Sequence, residues 1–102
     1  MPVAMISEFQ VEPGDRSTAN YDAVNARLDI AADPPQGLIV HIAGFDGDTF
    51  RVFDVWESQS DGERFYTERL MPIIEAVMSE AGQGGGQPQR QYSYELHNVA
   101  TP

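Results

Sequence analysis

The sequence predicts a single α+β domain over residues 1–102, with strands and helices in the order β-α-β-β-α-β. Three observations lead to this fold class. Three short segments alternate side chains between two faces, and a fourth is apolar except for one residue, and both patterns are typical of strands. Two longer segments carry apolar residues at helical spacing. The length suits one domain rather than two, and 41% of the residues are hydrophobic, which suffices for a core.

The first strand is predicted over residues 3–9, and the turn-forming residues 13–15 follow it. Ser17 or Thr18 is expected to cap the first helix. This helix is amphipathic, because three side chains of one face recur at helical spacing: Tyr21, Val24 and Leu28. The prolines and the glycine within residues 33–37 are expected to end it.

A β-hairpin is predicted next along the chain. Residues 38–43 form its first strand, residues 44–49 its loop and residues 50–56 its second strand. The first strand is apolar except for His41. In the second strand, alternation places four side chains on one face: Phe50, Val52, Asp54 and Trp56.

The second helix is expected to begin at Ser60, because Ser60 and Glu63 match a capping box. Its apolar face consists of Phe65, Tyr66, Leu70, Ile73, Ile74, Val77, Met78 and Ala81. Pro72 is expected to break or kink the helix near residues 70–71. Gly82 is expected to end it.

A flexible linker is predicted over residues 83–90 and a last strand over residues 92–99. The complete order is that of the ferredoxin-like fold, a four-stranded antiparallel sheet with two helices on one face. Met5, Phe53, Val55 and their neighbours leave too much apolar surface for a sheet with one bare face. A back-to-back homodimer is therefore expected to cover that face.

The composition excludes several classes of function. The formal net charge is -10 and all six basic residues are arginine, an acidic balance that disfavours nucleic acid and anionic membranes as partners. The absence of cysteine and lysine excludes disulfides, thiolate metal sites and Schiff-base chemistry. We expect no metal and no cofactor. The sequence has no apolar run of about 20 residues and no pattern of a signal peptide, so a cytoplasmic location is expected.

Four segments of the chain carry a family resemblance: residues 21–28 (Tyr-Asp-Ala-Val-Asn-Ala-Arg-Leu), 53–58 (Phe-Asp-Val-Trp-Glu-Ser), 63–65 (Glu-Arg-Phe) and 68–72 (Glu-Arg-Leu-Met-Pro). They resemble the dimeric α+β barrel superfamily, which includes the antibiotic-biosynthesis-monooxygenase-like proteins and many small uncharacterised bacterial proteins. The resemblance implies a ferredoxin-like fold, a homodimer and often a pocket between sheet and helices. The activities it implies are cofactor-free oxidation of polyphenols, haem degradation, dye-decolourising peroxidation and regulation by ligand binding.

Two of those activities can be compared with this chain residue by residue. Trp56 matches the tryptophan that ends the third strand in both the haem-degrading members and the polyphenol oxygenases. In the haem-degrading members the next helix carries a histidine where this chain has Tyr66, and the first strand carries an asparagine where this chain has residues such as Ser7. In the polyphenol oxygenases an asparagine stands at the position of Val52.

His41 and Trp56 are the candidate catalytic residues. His41 could act as a general base if the hairpin register sets Asp54 beside it, since a base needs a partner that fixes its tautomer. The alternatives are a histidine hydrogen-bonded within the sheet and a tryptophan that only fills the core. His97 is expected at the surface or in the dimer interface.

Tyr21, Tyr66, Tyr92 and Tyr94 are candidates for an aromatic ligand-binding cavity, and Arg51 and Arg69 are candidate anchors for an anionic ligand. Core packing is the alternative for the tyrosines, and surface ion pairs are the alternative for the two arginines. The aromatic side of the last strand is expected to meet either the helices or the dimer partner.

Three functions remain open from the sequence. The first is a small-molecule-binding dimer with an aromatic pocket between sheet and helices. The second is a cofactor-independent monooxygenase-like enzyme that acts on an aromatic or polyketide-like substrate. The third is a structural or interaction module without an open pocket. A cavity lined by Trp56, His41 and Tyr21 would favour the first two, and a sealed core would favour the third.

Overall fold

The computed structural model describes residues 1–11, 18–80 and 88–102 and confirms the ferredoxin-like α+β fold. The strands and helices follow in the order β1 (Val3–Gln10), α1 (Ala19–Leu28), β2 (Leu38–Asp46), β3 (Thr49–Trp56), α2 (Gln59–Phe65), a π-helical segment (Tyr66–Leu70), α3 (Met71–Glu80) and β4 (Arg90–Glu95). The two helices α2 and α3 follow each other without a break through the π-helical segment, so together they are the predicted second helix.

The four strands form one antiparallel sheet in the order β2-β3-β1-β4. The predicted hairpin loop over residues 44–49 is wrong in extent, because β2 runs to Asp46 and β3 begins at Thr49. Only Gly47 and Asp48 turn the chain, and Gly47 adopts a positive φ of 61° that suits glycine.

The predicted last strand over residues 92–99 is also wrong in its bounds. β4 begins at Arg90, which pairs with Glu8, and ends at Glu95, which pairs with Val3. Beyond Glu95 its partner strand has ended, and the N–H of Leu96 donates to the carbonyl of Pro2. The predicted linker therefore ends before Arg90, and its residues 83–87 lie outside the described residues.

The helix starts differ from the predicted caps. Ser58, in extended backbone, caps α2 by accepting from the N–H of Asp61 at 3.2 Å, so the predicted start at Ser60 is wrong. Thr18 precedes α1, but its hydroxyl donates to the carboxylate of Asp22 instead of accepting from a backbone N–H. Ser17, Ala81 and Gly82 lie outside the described residues.

Pro72 does not break its helix. The π-helical segment precedes it, and the N–H of Met71 donates to the carbonyl of Tyr66, one residue further back than in an α-helix. A proline lacks the N–H for the usual bond and crowds the carbonyl four residues earlier. The wider turn accommodates both effects, so the predicted break does not occur.

The helices cover one face of the sheet, which we call the covered face, and the opposite face is the open face. Side chains of the covered face form the main core with the helices: Val3, Leu28, Trp56 and Phe65 are buried there, and Met5 packs against them. Met5 therefore does not belong with Phe53 and Val55, which lie on the open face. The helix approaches closely at Gly62, where an added Cβ would lie 2.4 Å from the sulfur of Met5.

The centre of the open face is buried, at Ala4, Ile6 and Val55, but its outer strands are not. On β2, Val40 is 41% exposed and Ile42 is 54% exposed, and neither is covered by a helix. The open face is thus the more exposed apolar surface of the sheet.

Candidate functional site

A chain of three hydrogen-bonded side chains lies on the covered face. The β2–β3 register sets His41 directly opposite Asp54, and the Nδ1 atom of His41 lies 2.5 Å from an oxygen of Asp54. On the other side of the ring, Nε2 lies 2.7 Å from the hydroxyl oxygen of Tyr21 on α1. Three separate parts of the chain therefore meet in one polar chain, which we call the Tyr21–His41–Asp54 chain.

The direction of the hydrogen bonds follows from the chemistry of the two ends. Burial raises the pKa of Tyr21 above its ordinary value of 10.0, and the negative charges of Asp54 and Asp22 raise it further. Tyr21 is therefore a phenol that donates to Nε2. A histidine that accepts at Nε2 carries its proton on Nδ1 and donates it to Asp54, an assignment made from the network.

The Tyr21–His41–Asp54 chain is surrounded by aromatic rings and is partly shielded from solvent. The side chains of His41 and Asp54 are only 21% and 17% exposed. The ring of Tyr21 lies nearly parallel to that of His41, with centroids 6.1 Å apart, and meets Phe50 edge-on at 5.1 Å. Such surroundings hold the imidazole in one orientation, as a general base requires.

The Tyr21–His41–Asp54 chain faces a partly open cavity of about 780 Å³ between the covered face and the helices. This volume lies within the range of small-molecule sites in proteins. Six of the predicted site residues line it: Tyr21, His41, Asp54, Trp56, Tyr66 and Tyr92. Its other walls are mainly apolar and include Met5, Phe9, Val24, Phe50, Leu70 and Ile74.

Trp56 combines two of the roles considered from the sequence. It is 1% exposed and packs at 5.3 Å against the ring of Phe65, so it belongs to the core. It also forms part of the cavity wall, near the end of β3. Tyr66 reaches the cavity from the π-helical segment.

Arg69 is placed away from the cavity. It donates to the carbonyls of Leu28 and Asp33 at 3.2 and 3.1 Å and lies over the ring of Phe65. Leu28 is the last residue of α1, so Arg69 fastens the C-terminal end of that helix. Arg69 therefore has a structural role, and these contacts engage the guanidinium N–H donors that an anionic ligand would need.

The two tyrosines of the last strand belong to the open face. Tyr92 pairs with Ile6 and Tyr94 with Ala4, and the two rings stack with centroids 6.4 Å apart. The hydroxyl of Tyr92 donates to Glu8 at 3.0 Å, although the residue also borders the cavity from the sheet edge. Tyr94 is 48% exposed and does not line the cavity. The aromatic side of β4 thus turns away from the helices, and His97 lies beyond the strand with an exposed side chain.

Several cavity residues were missed by the sequence reasoning. Asn25 lies one turn after Tyr21 on α1, and Gln59 and Glu63 lie before Tyr66 on α2 at helical spacing. Helical periodicity from the two predicted tyrosines would have identified these polar positions. Among the described residues, no group of three or more histidine, aspartate or glutamate side chains could hold a metal ion. No helix within residues 1–11, 18–80 and 88–102 is long and apolar enough to cross a membrane.

Comparison with known proteins places the fold. No protein-family model matches the chain, and no curated protein matches it. Solved structures do match over almost their whole length. A protein of unknown function from Nitrosomonas europaea superposes with a TM-score of 0.67 at 22% identity, over 99% of this chain and 94% of that one.

Two further structures carry names that describe a function. One is named as an antibiotic biosynthesis monooxygenase from Chloroflexus aurantiacus (TM-score 0.60, 15% identity, 99% of this chain and 98% of that one). The other is SnoaB, a cofactor-independent oxygenase from Streptomyces nogalater (TM-score 0.58, 14% identity, 98% of this chain and 95% of that one). This chain has the fold of the antibiotic-biosynthesis-monooxygenase-like proteins.

The antibiotic-biosynthesis-monooxygenase-like fold sets the substituted positions in context. Ser7, Val52 and Tyr66, the positions at which the family resemblance led us to expect asparagine or histidine, all line the cavity. The hydrogen-bonded polar network of the cavity wall is the Tyr21–His41–Asp54 chain.

Proposed function

We propose that this chain binds a small aromatic molecule in the cavity between the covered face and the helices. The observation that carries the proposal is the Tyr21–His41–Asp54 chain, which opens onto an apolar space of about 780 Å³. A mainly apolar pocket with a few oriented polar groups is the usual form of a small-molecule site. A cavity of this size also argues against a module whose core is fully packed.

Cofactor-independent oxygenation is the second candidate function, and a specific observation favours it. The carboxylate of Asp54 orients His41 so that Nε2 can accept a proton from a bound hydroxyaromatic substrate. For this transfer, the hydroxyl of Tyr21 either moves away from Nε2 or passes the proton on to it. Dioxygen is the oxidant in this scheme. It converts an activated ring CH₂ to a carbonyl, so one oxygen atom enters the product and the other leaves as water. SnoaB, an oxygenase of similar fold, needs no cofactor.

A direct test measures oxygen uptake with naphthalene-type hydroquinones and anthrones as substrates. We expect the variant His41→Ala to lose at least 100-fold of the activity, because general-base catalysis contributes about 10²- to 10⁴-fold. His97→Ala is the matched control, since that histidine is exposed and lies outside the cavity lining. His41→Gln retains a side chain of similar size, so its loss of activity would separate the base from a packing role.

Oxygen uptake that is unchanged in both His41→Ala and Trp56→Phe would contradict the proposed oxygenase activity. Ligand binding would then be examined by calorimetry with the same compounds. If none of them bound to the unaltered chain, the binding proposal would fall as well.

We also propose that the open face joins two copies of the chain in a homodimer. Val40, Ile42 and Tyr94 expose between 41% and 54% of their surface on that face, which is a large apolar area to leave in water. Two such faces related by a twofold axis would cover each other. A monomer mass at micromolar concentration, measured by sedimentation, would contradict this proposal.

A further inference from the structure

The charged groups around the cavity are unevenly distributed. Among the described lining residues two are carboxylates, Asp54 and Glu63, and none is an arginine. Asp54 accepts from His41 inside the cavity, whereas Glu63 lies at the exposed rim. His41 is the single basic side chain of this lining, and both its ring nitrogens are engaged. The described walls therefore present negative charge without a free cation.

The described arginines share one property: each is held by a group outside the cavity or at its edge. Their partners are Glu80 for Arg27, Glu8 and Asp46 for Arg51, Asp61 for Arg64, Asp33 and the carbonyl of Leu28 for Arg69, and the ring of Tyr92 for Arg90. The chain has no lysine. A bound carboxylate or phosphate would thus find no described cation to compensate its desolvation.

We infer that the cavity takes an uncharged hydroxyaromatic ligand and discriminates against its carboxylated analogue. This inference rests on the proposed binding function and adds the charge class of the ligand. The hydrogen bond from Tyr21 to Nε2 of His41 shows which group this acceptor suits, a neutral phenolic O–H. The apolar walls suit fused aromatic rings, and the carboxylate of Asp54 repels an anion placed beside it.

Electrostatics sets the size of the expected discrimination. Two like charges about 6 Å apart at an effective dielectric constant of about 20 repel each other enough to weaken binding roughly 100-fold. Screening at the open side of the cavity reduces this effect. We therefore expect at least a tenfold preference for the uncharged ligand.

The experiment compares three naphthalene derivatives by isothermal titration calorimetry on the full chain near neutral pH. The probes are 1-naphthol, 1-naphthoate and 1-naphthylmethylammonium, which share one ring system and differ in charge. We expect 1-naphthol to bind at least tenfold more tightly than 1-naphthoate. We also expect it to bind no less tightly than the ammonium, because the cost of desolvating an ammonium among apolar walls offsets its attraction to Asp54. A smaller preference over the carboxylate, or tightest binding of the ammonium, would overturn the inference while leaving the binding function in place.

Charge variants test the origin of the discrimination. We expect Glu63→Gln and Asp54→Asn each to reduce the naphthol-to-naphthoate affinity ratio by at least threefold. Glu68→Gln is the matched control, because that glutamate is exposed in the π-helical segment and does not line the cavity. A ratio unchanged in both test variants would overturn the electrostatic inference. If none of the probes bound, the proposed binding function would fail and this inference with it.

Discussion

The two faces of the sheet differ in which side chains they shield from water and which they expose. On the covered face, the Tyr21–His41–Asp54 chain lies among aromatic and aliphatic walls, where the side chains of His41 and Asp54 are mostly shielded from water. On the open face Glu8 pairs with Arg51 and accepts a hydrogen bond from the neutral hydroxyl of Tyr92, and apolar Ile42 stands exposed. Burying polar groups away from water costs free energy, so the buried polar groups of the covered face indicate a functional site. Apolar side chains exposed to water, as on the open face, indicate a contact surface.

Replacing Trp56 should produce the largest difference between the faces. We expect Trp56→Ala to lower the free energy of unfolding by about 3–5 kcal/mol, because it empties a fully buried core position. Tyr94→Ala, at a half-exposed position of the open face, should cost less than about 1 kcal/mol in a monomeric chain. Urea unfolding in an Ile42→Asp background measures both, and equal costs would break the comparison.

A charge on the open face should disrupt association. We expect Ile42→Asp to weaken the proposed dimer at least 100-fold, because it buries an unpaired carboxylate in each half of the contact. The fold itself should persist, since Ile42 is more than half exposed within one chain. Sedimentation velocity measures the change, with Gln36→Asp as a control at an exposed position outside the sheet. A dimer that survives Ile42→Asp would assign association to another surface.

Two glycines allow a finer comparison of the faces. Gly62→Ala should destabilise the chain by about 1–2 kcal/mol, because the new Cβ meets the sulfur of Met5 at 2.4 Å and Trp56 at 3.0 Å, which outweighs the better helix propensity of alanine. Gly44→Ala, on the open face, meets nothing within 4 Å and should be neutral or slightly stabilising. Thermal unfolding of the monomeric protein would rank the two variants by stability. A Gly62→Ala variant more stable than the Gly44→Ala variant would contradict the close approach of α2 to the sheet.

The smallest expected effect concerns two tyrosines with raised pKa values. Burial is the main cause for Tyr21, whereas for Tyr92 it is the hydrogen bond to Glu8. We expect Glu8→Gln to lower the pKa of Tyr92 toward its ordinary value and to leave that of Tyr21 unchanged. Spectrophotometric titration of tyrosine ionisation, with Tyr21→Phe and Tyr92→Phe to assign the signals, measures this. A parallel shift of Tyr21 would contradict the separation of the faces.

The sign of the stability effect follows from the same pKa shift. In the unfolded chain Tyr21 loses its proton near pH 10, while the folded chain still holds it. The contribution of Tyr21 is therefore fully present below pH 10 and is lost as the pH rises through the folded pKa. Tyr21→Phe should flatten this alkaline decline in the free energy of unfolding, and an identical decline in both proteins would refute the assignment.

Local periodicity was sufficient to predict the order of strands and helices, because alternation and helical spacing depend only on neighbouring residues. Boundaries were predicted less well. Ser58 and Ser60 are both acceptable caps, and the choice between them depends on where β3 ends. β4 ends where its partner β1 begins, which depends on contact between residues 82 or more positions apart in sequence.

The candidate site shows the same division. The sequence by itself determined that His41, Asp54 and Tyr21 lie on separate segments with the right chemistry, and that Trp56 ends the third strand. A loop over residues 44–49 would have set His41 opposite Val52, whereas the two-residue turn sets it opposite Asp54. Only the tertiary structure decided that register, the docking of Tyr21 onto the imidazole and the turning of Tyr92 and Tyr94 away from the helices. These features depend on pairing and packing between distant segments, for which local patterns carry no signal.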